Sequence, residues 1–196
     1  MSKSTTSNRI KGSSNWINPV LQGLAYWIGY KKELYRHHLL NEGAIVTEIA
    51  TLINSNKSDS EIVKCEQYYD QIEGISGTKI RADISILRGN EIHTVIEVKR
   101  EEAGKILIDK DILKLWRIKE KHPNIKCYQI IVSQGKKPSR YVTDEGVSDK
   151  ISYPIIDTDY DTKAIRVCKS TSSFKEESPK KANYVCLIEV VNSKHK

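Results

Sequence analysis

A chain of 196 residues with 38% hydrophobic and 29% charged residues can bury one full core without disulfide or metal staples. Its composition excludes a fibrous or wholly disordered protein, and no apolar run reaches the length of a membrane span. The formal charge of +7 and pI near 9.1 favour a polyanionic partner, although Lys175, Lys180, Lys181, Lys194 and Lys196 fall in tails and turns where solvation accounts for them.

The first 15 residues are polar and basic with almost nothing to bury, and read as a flexible arm ahead of a single domain spanning 16–196. They lack the apolar core of a signal peptide, so a reducing, cytoplasmic location is expected. From Asn18-Pro19, Val20, Leu24, Trp27 and Ile28 recur at near-helical spacing, against which Gly23 and Gly29 count. The segment Asn41 to Ile53 predicts a second helix, with Asn41 as N-cap and an apolar stripe of Ile45, Ile49, Leu52 and Ile53. EIVKCEQYYDQI, rich in β-branched and aromatic residues, predicts a strand after the polar turn NSNKSDS.

Following the glycine-rich turn EGISG, TKIRADISILRG alternates Ile80, Ala82, Ile84 and Ile86 against Arg81, Asp83, Ser85 and Leu87. A short turn, Arg88-Gly89-Asn90, leads into EIHTVIEVKR and predicts an antiparallel hairpin. In this second strand Ile92, Thr94, Ile96 and Val98 share one face, and His93, Val95, Glu97 and Lys99 the other. KILIDKDILKLWRIKEKH then predicts a helix through Ile108, Ile112, Leu115 and Trp116 that stops at Pro123, followed by a buried strand IKCYQIIVS. PSRYVTDEGVSDK reads as a short helix or loop, and YPIIDTDYDTKAIRVC and ANYVCLIEVV as strands around the polar loop SSFKEESPKK. Cys65, Cys127, Cys168 and Cys186 all lie in apolar runs without metal-ligand spacing, and read as buried core thiols. Trp16, Trp27 and Trp116 read as packing anchors.

Chemistry concentrates in the predicted hairpin. Glu97 and Lys99 are two apart and point the same way; a register that sets Asp83 beside Glu97 brings two carboxylates to a point that suits a hard divalent cation. With such an ion, Lys99 can orient a water, or take its proton if its neighbours lower the lysine pKa, and charge on a phosphorane can be stabilised. On spacing alone these are more often solvent-facing strand residues, since an Asp with a distant Glu-x-Lys occurs often by chance.

RADISI followed by TVIEVKR resembles the signature of the PD-(D/E)XK, or restriction-endonuclease-like, nuclease superfamily, with Asp83, Glu97 and Lys99 at the motif positions and Ala82 where the proline of the name would stand. The resemblance covers about residues 42–134, roughly half the chain. It implies an α/β fold with a restriction-endonuclease-like αβββαβ core, a mixed central β-sheet flanked by helices, and a metal-dependent endonuclease that cuts DNA with Mg²⁺, for which Mn²⁺ can substitute. A restriction or defence nuclease is the first expectation. A Holliday junction resolvase or repair nuclease is the alternative, as is a catalytically silent nucleic-acid-binding module on the same fold. Cutting both strands uses two centres, so a homodimer is expected.

The superfamily also implies a further acidic residue on the helix before the sheet. Glu42 and Glu48 lie about 240° apart around a helix and cannot both face the site; Glu48, beside the apolar stripe, is preferred as the additional metal and catalytic residue, with Glu66 on the first strand a third candidate. The basic loop GKKPSR offers Lys136, Lys137 and Arg140 to phosphates. His37-His38 lacks ligand spacing, and Gly135-Lys136 lacks the rest of a nucleotide-binding loop.

Overall fold

In a computed structural model, the described residues are 16–35, 40–69, 80–149, 152–170 and 182–193. The expected polar arm 1–15, the His37-His38 pair, the turn 73–77 and the loop 172–181 lie outside them. So do all five tail and turn lysines, Lys175, Lys180, Lys181, Lys194 and Lys196.

Three helices and seven strands are built from these residues: α1 (Ile17–Leu34), α2 (Glu42–Asn56), β1 (Glu61–Tyr69), β2 (Ile80–Arg88), β3 (Glu91–Arg100), α3 (Lys105–Lys121), β4 (Lys126–Ser133), β5 (Ser152–Pro154), β6 (Tyr160–Ser170) and β7 (Asn183–Asn192). All strands join one mixed sheet in the order β1-β2-β3-β4-β7-β6-β5. Only β3 and β4 run parallel, and α3 is the crossover between them. The other neighbouring pairs are antiparallel.

The sheet is covered on both faces. On one, α1 and α2 pack Leu24, Ile28, Ile45 and Ile49 against Ile84, Ile86, Ile96, Val98 and Ile130. On the other, α3 packs Ile108, Ile112, Leu115 and Ile118 against Val95, Cys127, Ile131 and Cys186. Neither cluster alone would sustain the sheet, whose central strands are apolar on both sides. Among the described residues no helix is long and apolar enough to cross a membrane.

Local rules account for the helix boundaries. The Asn41 side chain accepts the backbone N–H of Ala44 at 2.7 Å, the expected N-cap of α2. Gly23, which counted against α1, is where the two helices approach: a Cβ there would meet Leu52 Cδ2 at 3.3 Å. Gly89, at φ 60°, makes the β2–β3 turn. Trp16 is buried edge-on to Tyr128, with ring centroids 6.2 Å apart, and Trp27 and Trp116 are partly buried against the two cores.

Several expectations need correction. The segment read as one strand, YPIIDTDYDTKAIRVC, is a hairpin: Asp157 adopts φ 60°, and the Ile155 N–H bonds the Tyr160 carbonyl at 2.9 Å, folding β5 onto β6. Of the two readings of PSRYVTDEGVSDK, the loop is the one found over residues 138–149, with a Val142–Ser148 bridge and with Tyr141 and Val142 buried on the α3 side. Cys127 and Cys186 are buried, but Cys168 is only partly so and Cys65, on the edge strand β1, is exposed. Ile92 packs on the α3 side rather than with Ile96, because the β2–β3 register shifts between Ile86 and Leu87. Ala82 likewise packs on the α3 side, away from Ile84 and Ile86.

Replacing Asn41 with alanine leaves the Ala44 N–H uncapped at the helix end nearest the site described below. Urea unfolding should show a loss of about 1 kcal/mol, typical of an N-cap.

Candidate functional site

The break in the β2 alternation locates the site. β2 and β3 pair from Arg88↔Glu91 to Ile84↔Ile96, and the ladder ends there. β2 continues along β1, where Cys65↔Ile84 and Gln67↔Ala82 bracket Glu66. Glu66 is held at φ 54°, a left-handed conformation that costs a non-glycine residue about 1 kcal/mol or more. Where the two strands part, the Asp83 carboxylate takes over as acceptor: its Oδ2 receives the Val98 backbone N–H at 2.7 Å. Asp83 is thereby fixed against β3, at the start of the segment that carries Glu97 and Lys99.

Glu97 and Lys99 share the α3 face of β3, as their spacing requires. Glu97 is 3% exposed and sits under α3, with Lys114 Nζ 2.6 Å from its Oε1. Lys99 lies at the strand end, where its ammonium spans two helices: Nζ is 2.9 Å from Glu42 Oε1 on α2 and 3.2 Å from Asp111 Oδ2 on α3. Asp83, Glu97, Glu42 and Asp111 thus face Lys99 and Lys114. With all six ionised, the group carries two excess negative charges.

Burial dominates the proton affinities. Removal from water pushes Glu97 up to about 8, with Lys114 opposing the shift and Asp83 and Asp111 adding to it. Asp83 is raised by burial too, offset in part by the Val98 N–H, Lys114 and Lys99. Burial presses Lys99 downward, but the Glu42 hydrogen bond and Asp111 outweigh it and the net shift is up. Lys99 is therefore held as an ammonium near neutral pH. The expectation that neighbours lower its pKa so that it can take a proton from water is not met in this arrangement, because both neighbours are carboxylates.

The donor set fits a hard divalent cation in kind, since it offers several carboxylates and surplus negative charge. Two of these oxygens, Glu97 Oε1 and Asp111 Oδ2, are buried and each faces an ammonium, at 2.6 Å from Lys114 and 3.2 Å from Lys99. The two lysines are interleaved with these carboxylates. Among the described residues no group of three or more His, Cys, Asp or Glu side chains is gathered closely enough to hold a metal ion.

The helix carboxylate at this site is Glu42, contrary to the preference for Glu48. Lys99 meets the N-terminus of α2, and Glu48 lies about 9 Å further along the helix axis. Glu66 is exposed and paired with Arg81 at 2.6 Å. In the basic loop, Lys137 pairs with Asp144, and Arg140 pairs with Asp109 of α3 at 2.5 Å while stacking over Tyr141 and Tyr153. Lys136 alone of the three predicted phosphate contacts is exposed. Arg140 pins the loop to α3, a packing task.

Asp111 and Lys114 were missed in the sequence. They stand three apart on α3, on one flank of its apolar stripe. The stripe of α3 marks which of its residues flank the buried face, but that this helix covers the sheet face carrying Glu97 is visible only in the fold. Comparison with protein-family models, curated proteins and solved structures finds no match for the chain.

Glu97 makes the metal-free fold sensitive to pH. Its pKa is raised from 4.5 to about 8, so between those values the folded chain binds more protons than the unfolded one, and stability falls as pH rises. Glu97→Gln, which mimics the protonated acid, should remove this slope. Urea unfolding in EDTA should find the variant more stable than wild type near pH 8, by on the order of a few kcal/mol, and the gap should close toward about pH 5. Parallel pH profiles for the two proteins contradict the assignment.

Proposed function

We propose that this chain is a metal-dependent endonuclease that hydrolyses phosphodiester bonds in DNA, of restriction or defence type, built on a restriction-endonuclease-like core. The observation that carries the reading is the convergence of Asp83, Glu97 and Lys99 at the point where β2 leaves β3, with Glu42 of the preceding helix completing the group. The element order α2-β1-β2-β3-α3-β4, an antiparallel hairpin followed by a parallel crossover, supports the same reading.

In this proposal Asp83, Glu97 and, from α2 or α3, Glu42 or Asp111 hold Mg²⁺ or Mn²⁺. When bound, the ion supplies Lewis-acid stabilisation of charge on the phosphate and lowers the pKa of a coordinated water. The chain's own residues do the rest. Asp83, locked by the Val98 N–H, gives a carboxylate that cannot swing away. Lys99, kept cationic and steered by Glu42 and Asp111, orients the attacking water by donating to it and balances charge at the transferred phosphate. Burial of Glu97 keeps bulk water from its carboxylate. The exposed Lys136 and the chain's net charge supply non-specific attraction to a polyanion.

A second reading, a nucleic-acid-binding module without catalysis, draws on the two lysines interleaved with the carboxylates. Lys99→Ala separates the two. Affinity for DNA rests on many distributed phosphate contacts and should change little, whereas loss of a group acting at the barrier should slow Mg²⁺-dependent plasmid nicking by about a hundredfold or more. Asp83→Ala should raise the metal concentration needed for half-maximal cleavage. Glu42→Gln should impair cleavage more than Glu48→Gln. DNA binding without nicking by the wild type, under Mg²⁺ and Mn²⁺ and on both duplex and branched substrates, favours the module.

A further inference from the structure

We propose that Lys114 is a built-in counter-ion that occupies, in the metal-free chain, the place of a divalent cation between Glu97 and Asp83, so that the metal enters by exchange against the Lys114 ammonium. The inference rests on the metal-centre reading above and adds to it a residue from α3 that sets how tightly the ion is held.

Two observations single out Lys114 rather than Lys99. Lys99 is clamped between Glu42 and Asp111, so withdrawing it would strand two carboxylates at once. Lys114 has one short ionic contact, to Glu97 at 2.6 Å, and its charge also acts on Asp83. It is therefore the cation common to the two strand carboxylates that define the centre.

The contact is also single: Lys114 Nζ meets one oxygen of the buried Glu97 carboxylate, Oε1, at 2.6 Å. The Lys114 side chain is 25% exposed and ends a flexible four-carbon stem. It can turn its ammonium to solvent without moving α3, whose anchoring residues Ile112, Leu115 and Ile118 are separate. Metal loading then costs the protein one ion pair and returns a free cation at the rim of the site.

The test uses the full chain and Mn²⁺ as probe, followed by calorimetry or by the spin-resonance signal of free Mn²⁺. Lys114→Met keeps the stem and removes the charge. It should bind Mn²⁺ about tenfold more tightly or better than wild type, because the ion no longer displaces a like charge, while melting at a lower temperature in EDTA and recovering on metal addition. Lys114→Arg should stay near wild type in both. In the wild type, amine acylation read by mass spectrometry should find Lys114 protected without metal and reactive with Mn²⁺, and Lys99 unchanged. Equal or weaker Mn²⁺ binding by Lys114→Met, or an unchanged Lys114 footprint in metal-loaded wild type, overturns the exchange and leaves the metal centre standing. If Lys114→Met folds only with Mn²⁺, that dependence supports the exchange; if it folds under neither condition, the wild-type footprint decides. Absence of Mn²⁺ binding by all three proteins removes the metal centre and this inference together.

Discussion

The hydrogen bond from the Val98 N–H to the Asp83 carboxylate is the constraint around which the site is organised. A β-ladder satisfies its backbone groups strand to strand, and when β2 leaves β3 the Val98 donor needs another acceptor in a part of the sheet covered by helices. Asp83 supplies it from the departing strand. One side chain therefore takes over where the pairing ends, satisfies the buried Val98 donor and places a carboxylate near Glu97. The left-handed Glu66 on β1 and the transfer of Ala82 to the α3 face belong to the same local rearrangement. Backbone strain of this kind persists where the surrounding fold over-determines it.

The charges gathered there are arranged to be marginal. Glu97 is buried deeply enough that its ionised form is unfavourable near neutral pH, and the ammonium beside it offsets only part of that cost. Lys99 sits in the opposite situation, with two carboxylates that keep its charge on. Glu97 therefore favours its neutral form and Lys99 its charged one, although both stand on the same strand two residues apart.

Beyond the site, the fold spends its basic residues unevenly. Arg140 and Lys137, which read as phosphate contacts in the sequence, are paired with Asp109 and Asp144 and hold a loop over α3. That loop buries Tyr141 and Val142 in the α3-side core, and so supports the helix that presents Asp111 and Lys114. Charge in a loop serves packing or recognition according to whether an acid lies within reach, which only the folded neighbourhood reveals.

The sequence by itself determined the local elements and the identity of the strand residues. The Asn41 cap, the 3.6-residue stripes of α2 and α3, the Gly89 turn and the two-residue spacing of Glu97 and Lys99 follow from periodicity and backbone sterics, which act over a few residues. Only the tertiary structure decided which helix position faces the strand end. Glu42 and Glu48 are equivalent in propensity, and the choice fell to Glu42 because Lys99, near the end of β3, meets the N-terminus of α2. The break of alternation at Ala82, the folding of one apparent strand into the β5–β6 hairpin and the exposure of Cys65 on an edge depend on register and strand order. The arrival of Asp111 and Lys114 from α3 is of the same kind. Such features are set by contacts between segments far apart in the chain, and a period read along one segment carries no information about what will pack against it.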